Sequence, residues 1–590
     1  MMELFSLSMR KLWKEWNLRA IVLLSLVLQI VLITLGNRRK HNHKLWIRIV
    51  IWSVYIFADV IATFALGIIT NNVSDIYDEE GESMGANTEL TAFWAPFLLL
   101  HLGGPDTITA YALEDNELWL RHFLGLIVQT GMAIYVFLMA WTGSHLSILH
   151  LLMFVAGLIK YGERTWVLRK ASIETIRESS IANFDDTQSD NGINFSVPSQ
   201  TNFGYDECTL IDAYRLVRSY FRALFLNVKL PSRVGSASIP STAVEDIFKI
   251  IEKELGFMYD NLYTKAPLLY TRWGLGLRVI TFFLTSSSLV LFPVVVIHDK
   301  HKFSNTDVTI TYILLAGAII LELYSAVLIL SSDLFLVWLI ERRKYSTKKA
   351  LKCFLKEKRW STNMSQFSLL SFIIKEKPLP CLNFLKHLSL DKSLTKQWYA
   401  IDMKIPNNLK KLICLYLQEK SKGRNGPTDD SVPMDPVGLN FTEELEKSIL
   451  AWHVTTDIRH ELDGEEIKQL GHDFELHCGW ICQISRYMFY LLVRHPDMIS
   501  EGSMNQIKLQ SILLAYQQHL VLEGDDDNDI KIFFKDRLPR LVIKLSKQMS
   551  LEERWKIISW TWLEMLPYAA IKCGGIQHAQ QLKNGGEFLV

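Results

Sequence analysis

Ionisable side chains inside apolar segments are the residues of this sequence best placed to do chemistry. Charged groups are costly in hydrocarbon, so within a membrane they usually face a cavity or one another. There they could bind a cation or relay protons, or they could form structural contacts between helices. We therefore define a candidate intramembrane site from Asp59, His101, Asp106, His145, His150 and Glu322.

A second candidate is a helix-face cluster formed by His453, Asp457 and His460. Their spacing places all three on one face of a helix, where they could bind a metal ion. The pattern lacks the second His at i+4 and the adjacent Glu of the zinc proteases with an HExxH motif. A packed or solvated helix face is therefore favoured, and we predict no metal site.

Motifs for nucleotide binding and catalysis are missing from the sequence. It has no Walker A motif, no dinucleotide-binding glycine pattern after a strand, no Gly-x-Ser-x-Gly elbow and no kinase signature. We therefore predict no cofactor and no catalytic residue, and an enzymatic role is disfavoured. The formal net charge of +1 over 590 residues also argues against a nucleic-acid partner, because phosphate binding requires a strong basic excess.

A membrane bundle is needed to position the candidate residues. Of the residues, 49% are apolar and 21% are charged, and the apolar ones form stretches near the length of about 20 residues that crosses a bilayer. The last stretch stays apolar to Ile340, which predicts a helix that projects beyond the membrane. The predicted spans are 18–35, 47–69, 118–141, 146–159, 275–297 and 310–330.

The segment 92–109, with its Gly103–Pro105 turn, could cross the membrane or re-enter. Lys and Arg accumulate in short cytoplasmic loops. The loop Asn71–Glu89 contains neither, whereas Arg38–Arg48 and Lys160–Lys170 are basic, and these loops lie on opposite sides only if 92–109 crosses. We therefore favour seven spans with an external N-terminus and a cytosolic C-terminus. Six spans plus a re-entrant segment is the alternative, and the basic N-terminus argues against our orientation.

The fold class that follows is all-α, a polytopic helical membrane bundle with cytosolic α-helical domains. The helix that starts at Leu210 has an apolar face that could lie on a membrane surface or, as we favour, pack within a soluble region. Asn72 begins a glycosylation sequon in the predicted external loop. The predicted organisation is membrane helices at 1–170, a disordered loop at 171–209, amphipathic helices at 210–274, a membrane hairpin at 275–340, a helical region at 341–420, a linker at 421–439 and a helical domain at 440–590.

Longer motifs resemble a known family. The run FWAPFLLLHLGGPDTITAYALEDNELWLRHFLGL at Phe93–Leu126, with KYGERTWVLR at Lys160–Arg169, resembles the plant membrane-protein family defined by the domain of unknown function numbered 4220. WHVTTDI at Trp452–Ile458, YMFYLLVRHPDM at Tyr487–Met498 and WLEMLPYAAIKCGGIQHAQQLKNGGEFL at Trp562–Leu589 resemble its usual companion, the domain numbered 594. The resemblance implies a flowering-plant source and a multi-pass membrane protein, and it implies no assigned reaction.

Two functions remain open on the sequence. The leading hypothesis is a non-catalytic integral membrane protein whose cytosolic domains mediate protein interaction or regulation. Its partners are then the lipid bilayer and cytosolic proteins. The alternative is a secondary transporter or channel that uses Asp59, His101 and Glu322, with a broken helix in the segment from Pro96 to Pro105. The sequence specifies neither the substrate nor whether the membrane is the plasma membrane or an endomembrane.

Overall fold

The structure, a computed structural model, divides into two compact units. The bundle unit comprises the described residues within Met1–Ser232, Ile250–Ser361 and Leu582–Gly586, and the second unit those within Arg233–Lys249 and Thr362–Gln581. The described residues are 7–42, 45–80, 85–179, 205–226, 244–298, 303–341, 363–369, 401–421, 445–499 and 549–584. Most of the predicted disordered loop at 171–209, and all but the first residue of the predicted linker at 421–439, lie outside them.

Helices account for nearly all of the chain described up to residue 341. Six of them, among the described residues, are long and apolar enough to cross a membrane: α1, α2, α6, α7, α11 and α12 below. Their outward faces carry exposed apolar side chains such as Val290 and Leu138, as lipid contact requires. In chain order the helices are α1 (Leu7–Gly36), α2 (Leu45–Glu80), α3 (Ala86–Ala92), α4 (Ala95–Leu102), α5 (Leu113–Glu117), α6 (Trp119–Met139), α7 (His145–Lys170), α8 (Tyr205–Leu226), α9 (Val244–Tyr263), α10 (Ala266–Leu269), α11 (Arg272–His298), α12 (Asn305–Leu330) and α13 (Asp333–Glu341).

One end of the bundle, here called the Glu89 end, is defined by contacts between connecting segments. The carboxylate of Glu89 accepts hydrogen bonds from the hydroxyl of Thr142 at 2.9 Å and from that of Ser144. Asn87 accepts one from the backbone N–H of Ser304 at 2.7 Å. The starts of α3, α7 and α12 therefore lie together.

The opposite end is here called the Arg39 end. The guanidinium of Arg39 donates to the carbonyl oxygen of Tyr111 at 2.5 Å and to that of Lys583 at 3.0 Å. Glu117 accepts a hydrogen bond from the backbone N–H of Ile173 at 2.6 Å. The α1–α2 connection, the start of α6, the end of α7 and the residues near Lys583 therefore share this end.

Between Glu89 and Glu117 the chain passes from the Glu89 end to the Arg39 end through the interior of the bundle. In this passage α4 is fully buried, with all eight of its residues inside. A helix of that length covers only about 12 Å, against about 30 Å of hydrocarbon, so non-helical residues complete the passage. Irregular backbone at membrane depth is tolerated where it is buried in protein. Beside the six long helices, the described residues thus contain one interrupted passage through the bundle. It coincides with the segment 92–109, for which the sequence did not decide between crossing and re-entry.

Glycines let α4 approach α7 closely. A Cβ atom at Gly157 would lie 2.8 Å from the carbonyl oxygen of Pro96, and one at Gly103 would lie 2.7 Å from the carbonyl carbon of Lys160. Gly104 has a φ of 63°, a left-handed conformation that favours glycine and ends the helix. Small residues at such contacts are typical of helix packing in membranes.

Two helix boundaries differ from the predictions. The α2 helix continues to Glu80, so part of the predicted external loop is helical and Asn72 lies exposed on it. The predicted continuous helix to Ile340 is wrong, because α12 ends at Leu330. The hydroxyl of Ser332 accepts a hydrogen bond from the N–H of Leu334 at 3.1 Å, and this local bond starts α13 as a separate helix.

The predicted amphipathic helix from Leu210 is present as α8. Leu210 and Val217 are 2% and 3% exposed, and they belong to one apolar cluster with Phe257 of α9 and Leu334 of α13. The apolar face therefore packs on protein, which is the interpretation we favoured over the membrane surface.

The second unit has its own apolar core between α15 (Leu445–Leu462), α17 (His472–Arg494) and α18 (Leu551–Lys572), in which Trp555 and Trp562 are fully buried. Two strands pair antiparallel in the region 341–420, with Met364 opposite Met403, where we predicted only helix. Tertiary pairing explains the extended backbone, because Phe367 next to the first strand donates its N–H to a carbonyl oxygen of α17 at 3.2 Å. The elements are β1 (Asn363–Gln366), β2 (Ile401–Lys404), α14 (Asn407–Ser421), α15 (Leu445–Leu462), α16 (Gly464–Gln469), α17 (His472–Arg494), α18 (Leu551–Lys572) and α19 (Gly575–Leu582).

Candidate functional site

Six ionisable side chains meet inside the bundle unit. Three are acidic and three are basic, so the set is electrically neutral when all are ionised. Each side chain is at most 9% exposed. This six-charge cluster consists of Asp106, Lys160, Glu163, Lys265, Arg278 and Glu322.

Arg278 of α11 lies at the centre of the six-charge cluster. Its guanidinium forms an ion pair with Asp106, and its nitrogens lie 3.2 Å from a carboxylate oxygen of Glu163 and 3.5 Å from one of Glu322. One cation thus joins the passage after α4 to α7 and α12. Buried charges are stable only when paired in this way.

The two lysines complete the charge balance. Nζ of Lys160 lies 2.6 Å from Oε1 of Glu322. Nζ of Lys265 lies 3.6 Å from Oε2 of Glu163 and 3.8 Å from Oδ1 of Asp106. Every carboxylate of the cluster therefore faces at least two cations.

The broken passage places Asp106 in the cluster. The turn at Gly103 and Gly104 ends α4, and the carbonyl oxygen of Asp106 then accepts a hydrogen bond from the N–H of Lys265 at 3.1 Å. The hydroxyl of Ser325 on α12 donates to the second carboxylate oxygen of Asp106. A regular helix through this point would satisfy its own backbone and could not make these contacts.

Two cavities adjoin the six-charge cluster. The larger has a volume of about 400 Å³ and extends from Asp106 and Ser325 to Asn37 and Lys40 in the α1–α2 connection at the Arg39 end. The smaller has a volume of about 30 Å³ and is lined by Asp106, Ser325, Lys160 and Glu322 as well as by His101. Asp106 and Ser325 line both cavities and therefore separate them.

His101 is the candidate residue that the structure places deepest beside this cluster. It is 2% exposed, and its Nδ1 lies 2.9 Å from the hydroxyl oxygen of Ser25 on α1. Among the described residues, Nε2 of His101 has no hydrogen-bond partner. Of the six predicted intramembrane residues, three line this smaller cavity, namely His101, Asp106 and Glu322.

Asp59 lies outside both cavities. Arg164 of α7 donates to its two carboxylate oxygens at 2.7 and 2.9 Å, and also donates to the carbonyl oxygen of Leu102 at 2.8 Å. Bidentate pairing of this kind is strong and geometrically specific. Asp59 thus holds the guanidinium that satisfies the end of α4, and the structure does not group it with Glu322.

The two other predicted histidines lie apart from the cluster. His145 is exposed at the start of α7, near the Glu89 end. His150 is buried between aromatic rings, with ring centroids 5.0 Å from Phe137 and 6.1 Å from Phe93. Neither lines the two cavities described above.

The helix-face cluster in the second unit is split by its contacts. Nε2 of His453 accepts the backbone N–H of Leu369 at 3.2 Å, and its Nδ1 lies 2.9 Å from the hydroxyl oxygen of Ser485. Asp457 accepts a hydrogen bond from Ser368. His460 instead packs beside Trp555, with ring centroids 6.1 Å apart. Both nitrogens of His453 are thus engaged by protein groups.

We expect His453 to make the second unit less stable in acid. Burial, opposed by Asp457 and assisted by Arg486, lowers the pKa of His453 from 6.5 to about 4. A depressed folded-state pKa gives stability that is present above pH 6.5 and is lost as the pH falls toward 4, by about 3 kcal/mol in all. Calorimetry of the full-length protein between pH 7 and 4.5 should show a smaller acid loss for His453→Gln than for the wild type.

The control for this measurement is His472→Gln, since the side chain of His472 is 79% exposed. That variant should follow the wild-type pH dependence. An equal acid loss in the wild type and in His453→Gln would contradict the assignment to His453.

Four members of the six-charge cluster were not among the predicted site residues. Arg278 lies within a long apolar segment. Its position alone would have sufficed to make it a candidate, although it was not among the predicted residues. Lys160 is predicted to lie in a basic loop, whereas it lies within α7 and pairs with Glu322 inside the bundle. Glu163 and Lys265 have no sequence signal, because only tertiary packing brings them to Arg278.

The fold and the six-charge cluster define the class of the protein, a polytopic helical membrane protein with ion-paired charges inside its bundle. Residues 52–372, more than half of the chain, match the family model described as Domain of unknown function (DUF4220), so the chain belongs to that family. Residues 547–590 match a second model, described as Protein of unknown function, DUF594. The resemblance found in the sequence is therefore confirmed. No curated protein and no solved structure matches the chain.

Proposed function

We propose that this chain is a membrane transport protein that binds an ion or a small polar solute beside the six-charge cluster. The observation that carries the proposal is the position of this cluster, at the break in the third passage of the chain and against a cavity of about 400 Å³. Interrupted helices that carry polar groups within the membrane are a known way to build a transport site. Structural pairing alone gives little reason for so many buried charges, because such pairs add little net stability.

The orientation belongs to the same proposal. The Arg39 end carries Arg38, Lys40, Arg48, Arg169 and Lys170, and short basic segments favour the cytoplasmic side. We therefore place the large cavity toward the cytosol, with seven crossings, the N-terminus outside and the C-terminus cytosolic. Binding would begin from the cytosolic side.

Radiolabelled flux into vesicles tests the proposal. The full-length protein is reconstituted and assayed with sodium, potassium, chloride, phosphate, an amino-acid mixture and a hexose. We expect at least one of these to enter faster than into protein-free vesicles, and Glu322→Gln to slow that entry at least 10-fold. The exposed Glu174 supplies the matched control, because Glu174→Gln removes the same charge far from the cavity and should leave flux within 2-fold.

Loss of Glu322 leaves Lys160 without its nearest carboxylate, so folding is checked by a single symmetric peak in size-exclusion chromatography. Ser325→Ala provides a milder change, because it removes one hydrogen bond to Asp106 and leaves all six charges. We expect it to slow the same flux. If correctly inserted wild-type protein moves none of the six probes, the transport proposal is wrong.

Interaction or regulation by the soluble part is the second candidate function. The compact core of the second unit supports it, because a domain with its own apolar core can present a stable surface to a partner. This role would act beside transport. It remains a prediction without a specified partner.

A further inference from the structure

We infer that His101 is a proton-binding group, reached by water from the large cavity past Asp106 and Ser325. This inference deepens the proposed transport function, on which it rests, by naming the proton as an ion that the site binds. It would make the protein sensitive to the proton gradient across its membrane.

The first support is the hydrogen bonding of His101. Its ring is almost fully buried, and its two nitrogens differ: Nδ1 contacts Ser25, while Nε2 has no partner among the described residues. In the neutral ring that can accept a proton at Nε2, Nδ1 carries the hydrogen and donates to the hydroxyl oxygen of Ser25. A buried polar atom without a partner is costly, so this nitrogen needs a water molecule or a proton donor.

The second support is the space beside the ring. The cavity of about 30 Å³ has room for at least one water molecule, and Gln29, Lys160 and Glu322 are among the residues that line it. Polar cavities of this size hold water, whereas empty ones are apolar. A water molecule there lies beside the His101 ring and can reach Nε2 after a small displacement of the ring.

The third support is continuity with the large cavity. Asp106 and Ser325 line both cavities, so these two side chains adjoin both the large cavity and the small one beside His101. The hydroxyl of Ser325 can donate to one water molecule and accept from another as it rotates. A proton can therefore move from the Arg39 end to His101 along water and Ser325.

The charged groups around His101 set the balance for an imidazolium. Three charged residues line the small cavity together with His101. They are Asp106, which follows His101 in the chain, Lys160 of α7 and Glu322 of α12. Ser25 and Gln29 from α1 are uncharged. On α2, Asp59 is already neutralised by Arg164. Desolvation, Lys160 and Arg278 oppose a charge on the ring. Asp106, Glu322 and the cavity water favour it, although both carboxylates are already paired with cations of the cluster.

The proton step is an acid–base transfer. A hydronium or water in the small cavity gives a proton to Nε2, and His101 becomes an imidazolium with both ring nitrogens protonated. The imidazolium then competes with Lys160 for Glu322 through the cavity water. Proton binding is thereby linked to the ion pairs that line the larger cavity.

His150 provides a matched control for the experiment. It is also buried in the bundle, at 3% exposed, and its Nε2 also lacks a partner among the described residues. However, its neighbours are the aromatic rings of Phe93 and Phe137, and it lines neither cavity. The comparison of His101→Gln with His150→Gln therefore separates access to water from burial of a histidine.

Two measurements on the full-length protein test the inference. Potentiometric titration in detergent micelles from pH 8 to 3.5 should show at least half a bound proton more per chain in the wild type than in His101→Gln, and a smaller difference for His150→Gln over that range. In vesicles with an entrapped pH dye and a valinomycin-generated potential, the wild type should take up protons. His101→Gln should slow uptake at least 10-fold, and His150→Gln should leave it within 2-fold.

The inference is overturned if the wild type and His101→Gln bind equal numbers of protons, or if His150→Gln loses proton uptake as strongly while remaining folded. The micelle titration needs no transported solute, so its failure is distinguishable from a failure of transport. If another probe enters but the titration shows no proton difference at His101, the transport proposal is supported and the proton-binding inference is refuted. If His101 binds a proton but no probe enters, the proton-binding inference is supported and the transport proposal is refuted.

Discussion

Replacement of Arg278 by methionine is expected to destabilise the protein by about 3 to 5 kcal/mol, because it leaves buried carboxylates without their shared cation. Arg278 faces Asp106, Glu163 and Glu322. Without it, Lys160 and Lys265 must neutralise all three, and the cluster carries one uncompensated negative charge. Methionine has a similar length and fills much of the same space, so the loss measures charge and hydrogen bonding more than volume. Titration with sodium dodecyl sulfate in mixed micelles gives the free energy of unfolding.

Two further variants make the Arg278 result specific. Arg272→Met changes the same residue type at the exposed start of the same helix, and it should alter the unfolding free energy by less than about 0.5 kcal/mol. The double variant Arg278→Met with Glu163→Gln restores charge balance and should recover at least half of the loss. Equal stability of Arg278→Met and Arg272→Met would refute the central position of Arg278. No recovery in the double variant would show that geometry, rather than charge balance, sets the cost.

Gly157→Ala and Gly162→Ala are expected to change stability in opposite directions, although both lie on α7. A Cβ atom at Gly157 would meet the carbonyl oxygen of Pro96 at 2.8 Å and the Cβ of Leu99 at 2.9 Å, whereas one at Gly162 would meet nothing within 4 Å. Alanine favours the helix over glycine by about 0.5 to 1 kcal/mol at both positions. At Gly157 the backbone of α4 must move away, which costs about 1 to 3 kcal/mol.

Because the two glycine variants share the helix and the substitution, their difference isolates the contact between α4 and α7. Unfolding in mixed micelles should rank Gly162→Ala at or above the wild type and Gly157→Ala below it. A Gly157→Ala protein as stable as Gly162→Ala would mean that α4 does not pack against α7 as closely as the structure shows.

The long helices were predictable from the sequence because hydrocarbon imposes a simple requirement, a run of apolar residues in helical form. The ends of these helices were not. The break after Leu330 depends on the hydroxyl of Ser332, and the extension of α2 to Glu80 adds polar turns that hydropathy does not detect. The passage containing α4 was ambiguous because its irregular backbone is satisfied by distant residues such as Arg164.

The candidate site was predictable only in part. Isolated ionisable residues in apolar segments are conspicuous, which is why His101, Asp106 and Glu322 were selected, and Arg278 could have been selected on the same ground. The partner of a buried charge is harder to predict from the sequence, because tertiary packing determines which residue lies beside it. Asp59 was grouped with Glu322 for this reason, although its guanidinium partner on α7 holds it elsewhere. Likewise, His453 is bonded by Leu369, far away in the sequence.

The hydrogen bond from Arg164 to the carbonyl oxygen of Leu102 has a consequence for biosynthesis. A ribosome that has just completed α4 has not yet made α7, so the newly emerged segment has nothing to cover its exposed carbonyl groups. This segment must remain in a water-accessible or chaperone-bound location until α7 has been synthesised. Only then can it insert fully into the bilayer. A truncated product that stops before Arg164 therefore cannot finish integrating this segment, and it presents the quality-control machinery of the cell with an unsatisfied stretch of backbone.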